Sequence, residues 1–166
     1  MTASTHTHLT RRTLVASAVG AGATLALPAL AQSPARAPLV GALAPNPAEF
    51  KKAFDEFTGG RAPKTGGLLL DVSMLADNPS AVPVKVKLEQ PISDTDWCEE
   101  IIVLAELNPS PLACRMKFTQ ANGTAEAAVR VRLSQTQTIH ALARMKSGQL
   151  FAASQAVTVA ASGCGM

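Results

Sequence analysis

Tyrosine is absent from the 166 residues, tryptophan occurs once and phenylalanine five times. A surface that stacks nucleobases on aromatic rings has too little material here, so nucleic acid is not an expected partner. Histidine occurs only at positions 6, 8 and 140, which excludes a His-rich metal site in the folded part. No glycine-rich phosphate loop interrupts the chain. Charged residues are only 16% of the sequence, while hydrophobic residues reach 47%. That balance belongs to a globular chain, and the length suits one domain. Its core has to be built from Val, Leu, Ile and Ala.

The first 31 residues read as an export address. Arg11-Arg12 stand just before an apolar run that continues to about Leu27, and Ala29-Leu30-Ala31 supplies a small-x-small cleavage site. Paired arginines followed by a short apolar stretch point to a twin-arginine signal peptide. The run is short for a membrane anchor, which needs about 20 apolar residues. Cleavage after Ala31 is expected, and N-terminal sequencing of the exported protein checks it. Removal of residues 1–31 leaves 135, with 13 basic residues facing 12 acidic ones. The precursor's net charge of +3 thus falls to +1, and a polyanion-binding role loses its support. No membrane association is expected after cleavage. The mature chain is expected in the periplasm, an oxidising compartment where cysteines can pair.

Residues 32–45 are rich in Ala and Pro and read as a linker. Asn46 is placed to cap a helix with Pro47 at its first position. Phe50, Ala53, Phe54 and Phe57 then recur at helical spacing, and Gly59-Gly60 ends the pattern. The apolar face packs either on its own domain or on a partner subunit. From Gly66 the periodicity changes to strands, over Leu68–Met74, Val82–Leu88, Ile101–Leu107, Leu112–Thr119, a segment through Val129, Val131 and Leu133, Ile139–Met145 and Leu150–Val159. About seven strands with regular turns predict an all-β, immunoglobulin-like antiparallel β-sandwich over residues 46–159, with the short helix ahead of it. Residues 160–166 follow as a flexible C-terminal arm.

Catalytic groups are hard to assemble from this inventory. Asp96, Glu99 and Glu100 beside Trp97 read as a solvated strand edge, and His140 as a packed or surface histidine. The cysteines are more informative. Cys98 and Cys114 flank one expected hairpin and form a candidate disulfide, although simple pairing about the 108–111 turn sets Cys114 near Ala105. Cys164 stands third from the end, within Ala161-Ser162-Gly163-Cys164-Gly165-Met166. Small residues at Ser162, Gly163 and Gly165 suit a sulfur atom presented on a tether rather than buried in a core. No Lys, Arg or His stands beside it, so an activating group would belong to a partner.

The chain resembles the SoxY family, the sulfur-carrying subunits of periplasmic sulfur oxidation. The twin-arginine signal carries this resemblance, with Ala76-Asp77-Asn78 to Val82-Pro83-Val84, Glu106-Leu107-Asn108-Pro109-Ser110-Pro111-Leu112, Ile139 to Lys146 with Ser147-Gly148, and terminal Gly163-Cys164-Gly165. The family usually ends in Gly-Gly-Cys-Gly-Gly; this chain differs at Ser162 and Met166. The resemblance implies a non-enzymatic carrier without a resident cofactor, in which Cys164 holds the covalent sulfur intermediate. It implies a heterodimer with a SoxZ-like β-sandwich subunit. It also implies transient docking with a haem-containing conjugating enzyme, a sulfate-releasing hydrolase and a sulfane dehydrogenase. Two other readings stay open at this stage: a related carrier serving another periplasmic dehydrogenase, and a structural β-sandwich crosslinked through Cys164.

Overall fold

A computed structural model describes residues 39–160. The signal peptide, most of the linker and the terminal segment with Ser162, Gly163, Cys164 and Gly165 lie outside the described residues. The described part of the linker holds one 3-10 turn, Gly41–Leu43.

Helix α1 spans Pro47–Thr58 and begins as its sequence dictates: the Asn46 side chain accepts a hydrogen bond from the Glu49 backbone N–H, at 3.1 Å. This satisfies one of the orphan donors of the first turn, and proline at the first position lacks a donor to orphan. Gly59 closes the helix in the left-handed conformation, at φ 60°.

Nine strands follow among the described residues. They are β1 (Lys64–Thr65), β2 (Leu68–Val72), β3 (Leu75–Ala76), β4 (Val82–Leu88), β5 (Cys98–Ala105), β6 (Leu112–Lys117), β7 (Glu126–Val131), β8 (Gln137–Met145) and β9 (Leu150–Val159). The larger sheet runs β1-β9-β8-β5-β6, with β3 also paired to β9; the smaller runs β2-β4-β7. Seven strands correspond to the seven expected segments, and the sandwich class holds. The other two have only two residues each and pair with β9 in parallel, Lys64 opposite Phe151 and Leu75 opposite Thr158. They arise because the chain from Lys64 to Ala76 touches the β9 edge, crosses to the smaller sheet as β2, and returns. Gly67 makes the crossing possible. Its φ is 81°, and a Cβ there would stand 3.0 Å from Gln90 Nε2 and 3.3 Å from the Phe151 ring.

The core lies between the sheets. In β4, Val82, Val84, Val86 and Leu88 point inward, while Pro83, Lys85 and Lys87 are exposed. That alternation marks a sheet with one solvated face. The larger sheet differs. Ile101, Val103 and Ala105 of β5 enter the core between the sheets, but Ile102 and Leu104 are buried on the opposite face. What covers them is α1: Phe57 packs with Ile102, Leu104, Leu142 and Leu150, and Phe50, Ala53 and Phe54 close around this second cluster. The aromatic stripe of the helix is therefore used within its own domain. The layers run helix, large sheet, small sheet.

Candidate functional site

Strand β9 stops at one end of the sandwich, and the sequence runs on from there, the root of the expected arm, towards Cys164. Backbone hydrogen bonds hold the chain here to its last described residue. Thr158 N–H donates to the Met74 carbonyl at 2.7 Å, and Ala160 N–H to the Ala76 carbonyl at 3.0 Å. Between them, Val159 N–H donates to Thr136 Oγ1 at 3.0 Å. Three successive amides are thus satisfied from both sides of the strand, so the root of the arm is a fixed point.

The loops around this root are tied together by Asn108. Its side-chain oxygen accepts from Ser134 N–H (3.0 Å), Ser134 Oγ (3.0 Å) and Gln137 Nε2 (2.9 Å). Its amide donates to the Arg132 carbonyl at 2.8 Å. Buried Gln137 accepts from Leu107 N–H at 2.8 Å. This network joins the β5–β6 turn to the β7–β8 connection and fixes the end face through side-chain amides. Sequence reasoning reads Asn108 only as a turn residue; its partners lie 24 to 29 positions away.

The described face around the arm root offers little acid–base chemistry. Leu43, Met74, Leu75 and Leu112 are all exposed there, and Leu43 lines a small groove of about 220 Å³ with Asn108, Pro109, Ser110, Arg132 and Ser134. No cluster of three His, Cys, Asp or Glu side chains fit to hold a metal occurs among the described residues.

The candidate Cys98–Cys114 disulfide is not formed; both thiols are free. The register explains why. Cys114 stands opposite Val103, not near Ala105, whereas Cys98 stands opposite Met145 of β8. Lys117 is already level with Glu100, so the two cysteines sit about five residues apart along the ladder. At ~3.4 Å per residue this is roughly 17 Å, against a limit of about 7 Å between Cα atoms for a bridge. Cys98 is fully buried, with its Sγ–H directed at the Glu100 carbonyl 3.7 Å away, and burial pushes its thiol up to about 11. It is a core residue with almost no thiolate at neutral pH.

The raised Cys98 pKa has a signed consequence. The folded protein holds this proton more tightly than the unfolded chain, so stability is fully present below the ordinary value of 9.0 and falls as pH rises towards 11. Urea midpoints measured across that range are expected to decline more steeply for the native protein than for Cys98→Ala. Parallel curves would refute the assignment.

The acidic group at 96–100 also departs from expectation. Glu100 is 3% exposed, not solvated. Arg115 Nη1 donates to one carboxylate oxygen at 2.8 Å and Arg144 Nη2 to the other at 2.7 Å. Arg144 lies 5.0 Å over the Phe57 ring, and Lys146 lies 5.5 Å over Trp97 while pairing with Glu99 at 3.4 Å. These contacts weld the end of α1 to the sheet. They border an open cavity of about 610 Å³ lined by Trp97, Lys117, Phe118 and Arg144, at the opposite end of β5 from the arm root. A buried carboxylate clamped by two guanidiniums is a structural ion pair. His140 is packed as expected: its ring stands 5.1 Å from Phe50, and its Nε2 is 3.6 Å from the Glu106 carboxylate.

The model of the family described as Sulfur oxidation protein SoxY matches residues 54–164, a span that begins within α1 and ends on Cys164. Among solved structures, the sulfur carrier protein SoxY from Chlorobium limicola f thiosulfatophilum is similar with a TM-score of 0.57 at 19% identity, over 70% of this chain and 100% of that one. A superoxide reductase (neelaredoxin) from Ignicoccus hospitalis matches at TM-score 0.51 and 13% identity, over 57% of this chain and 80% of its own. A putative superoxide reductase from Thermotoga maritima matches at 0.51 and 18%, over 60% and 95%. At these identities the structural likeness establishes the fold alone. No curated protein matches the chain.

Proposed function

The chain belongs to the SoxY family of sulfur-oxidation proteins, and on that premise we propose that it is a periplasmic carrier holding thiosulfate-derived sulfur covalently on Cys164. Family membership makes it a sulfur carrier rather than an enzyme. The observation that carries the finer reading is the placement of the arm root. The sandwich is hydrogen-bonded through Ala160, and Cys164 follows four residues later. At about 3.4 Å per extended residue the sulfur reaches roughly 14 Å beyond a fixed point. The other two sulfurs do not share this position. Cys114 is level with Ala153, six residues behind Val159 on β9, and Cys98 is farther still.

The chemistry then runs on one sulfur atom. The Cys164 thiolate joins the outer sulfur of thiosulfate, forming a cysteine S-thiosulfonate and releasing two electrons to the haem of the conjugating enzyme. Water then cleaves the terminal sulfur–sulfur bond in a hydrolase, giving sulfate, two protons and a cysteine persulfide. A sulfane dehydrogenase then converts the persulfide to a cysteine S-sulfonate, taking three oxygen atoms from three waters and passing six electrons to its own acceptor with release of six protons. A SoxZ-like subunit completes the carrier, and export by the twin-arginine route carries the pair to the periplasm already folded. Incubating the mature heterodimer with thiosulfate and the haem enzyme tests the first step. The expected result is two electrons transferred per carrier loaded and the adduct on the Cys164 peptide. Electron transfer without an adduct on that peptide would reject the reading.

A further inference from the structure

Six large hydrophobic side chains are exposed among the described residues, and four of them lie at the arm-bearing end. Met74 is 71% and Leu75 53% exposed, directly beside the β9 terminus through the Thr158–Met74 hydrogen bond and the Leu75–Thr158 pairing. Leu43, 55% exposed, lies along the Asn108–Ser110 turn, and Leu112 begins β6 just after it. Single exposed leucines need no explanation, but apolar groups gathered on one face of a domain mark an interaction surface. Asp77 and Arg132 at the same end supply a polar rim.

We infer that this end is a docking collar for the haem-containing enzyme that loads Cys164, whose channel mouth presents an apolar rim to Met74 and Leu75 on one side and to Leu43 and Leu112 on the other. The inference rests on the carrier reading above. Its argument is the shortness of the tether. A sulfur that extends at most about 14 Å from Ala160 reaches a recessed reacting centre only when the enzyme surface is pressed against the end face. Whatever is displayed there is therefore buried during every visit, and what is displayed is apolar. A second β-sandwich subunit seated on the same face would obstruct the exit of the arm, which leaves the sides of the sandwich for that subunit. Because the contact is made equally before and after reaction, it belongs to binding rather than to the chemical step.

The test uses the intact heterodimer carrying Met74→Glu/Leu75→Glu, a second variant carrying Leu43→Glu/Leu112→Glu, and Leu69→Glu on the outer face of the smaller sheet as a control. Three quantities are read: KM for the carrier in thiosulfate conjugation by the haem enzyme, kcat, and enzyme-free loading of Cys164 by tetrathionate. Each end-face variant is expected to raise KM at least about tenfold, because two apolar side chains lose their burial in the complex, with kcat nearly unchanged. Tetrathionate loading and the Leu69→Glu control should match the native protein. An unchanged KM overturns the collar. So does dissociation of the heterodimer by the end-face variants in sedimentation, which would assign the patch to the partner subunit. If the native protein loads tetrathionate on Cys164 but never accepts thiosulfate from the enzyme, the carrier reading itself falls, and the collar with it.

Discussion

Cys164→Ser is expected to abolish sulfur carriage and to leave the fold intact. The residue lies beyond β9, whose pairing ends at Val159, so no described core contact depends on its side chain. A serine hydroxyl does not form the sulfur–sulfur bond that a thiolate makes with sulfane sulfur, so cargo has nothing to attach to. The two remaining thiols offer no bypass. Cys98 is fully buried with its pKa raised to about 11, and Cys114 is only partly exposed and packed against the core. Thiosulfate-dependent turnover in a reconstituted system is expected to fall to background, while Tm and binding to the SoxZ-like subunit stay at native values. Turnover that survives in Cys164→Ser but is lost in Cys114→Ser would place the cargo on the wrong atom.

The second large effect is on stability. Phe57→Ala removes the one aromatic side chain of α1 that is 4% exposed, at the centre of the cluster formed with Ile102, Leu104, Leu142 and Leu150. Phe-to-Ala truncations of this kind cost about 3–5 kcal/mol, from lost transfer energy and the cavity left behind. For a domain of this size that lowers Tm by roughly 10–20 °C. The ring also supports the Arg144 guanidinium that clamps Glu100, so the truncation loosens the buried ion pair as well. Phe50→Ala, at a half-buried position nearer the helix start, is expected to cost distinctly less. Equal and small effects at both positions would mean that the helix does not hold the sheet's outer face.

Most of the sandwich is readable from local pattern. The Asn46 cap, the phenylalanine stripe and the Gly59-Gly60 stop define α1 within a residue, and the Val82–Leu88 alternation defines β4 outright. The near-continuous apolar run of Ile101–Ala105 also has a physical meaning, since a strand covered by a helix on one face and a sheet on the other has no solvated side. What escapes is non-local. Two-residue β1 and β3 show no periodicity, because their pairing with β9 comes from the path of the chain. Strand β5 begins at Cys98 rather than Ile101 because Glu100, polar in sequence, is neutralised by arginines 15 and 44 positions away. The missing disulfide has the same origin: register decides it, and cysteine spacing does not report register. The proposed carrier cysteine, Cys164, is the opposite case. Its signal is wholly local, a thiol among small residues near a chain end, and it needs no fold to be seen.

The assignment of this chain as a single-thiol sulfur carrier stands or falls on the intact mass and peptide map of the mature protein, purified without reductant from cells oxidising thiosulfate. The expected result is a chain beginning at Gln32, carrying sulfane or thiosulfonate adducts that reductant removes, all mapping to the peptide with Cys164, with Cys98 and Cys114 recovered as free thiols. Unmodified Cys164 together with adducts on Cys98 or Cys114, or a Cys98–Cys114 disulfide, would contradict it.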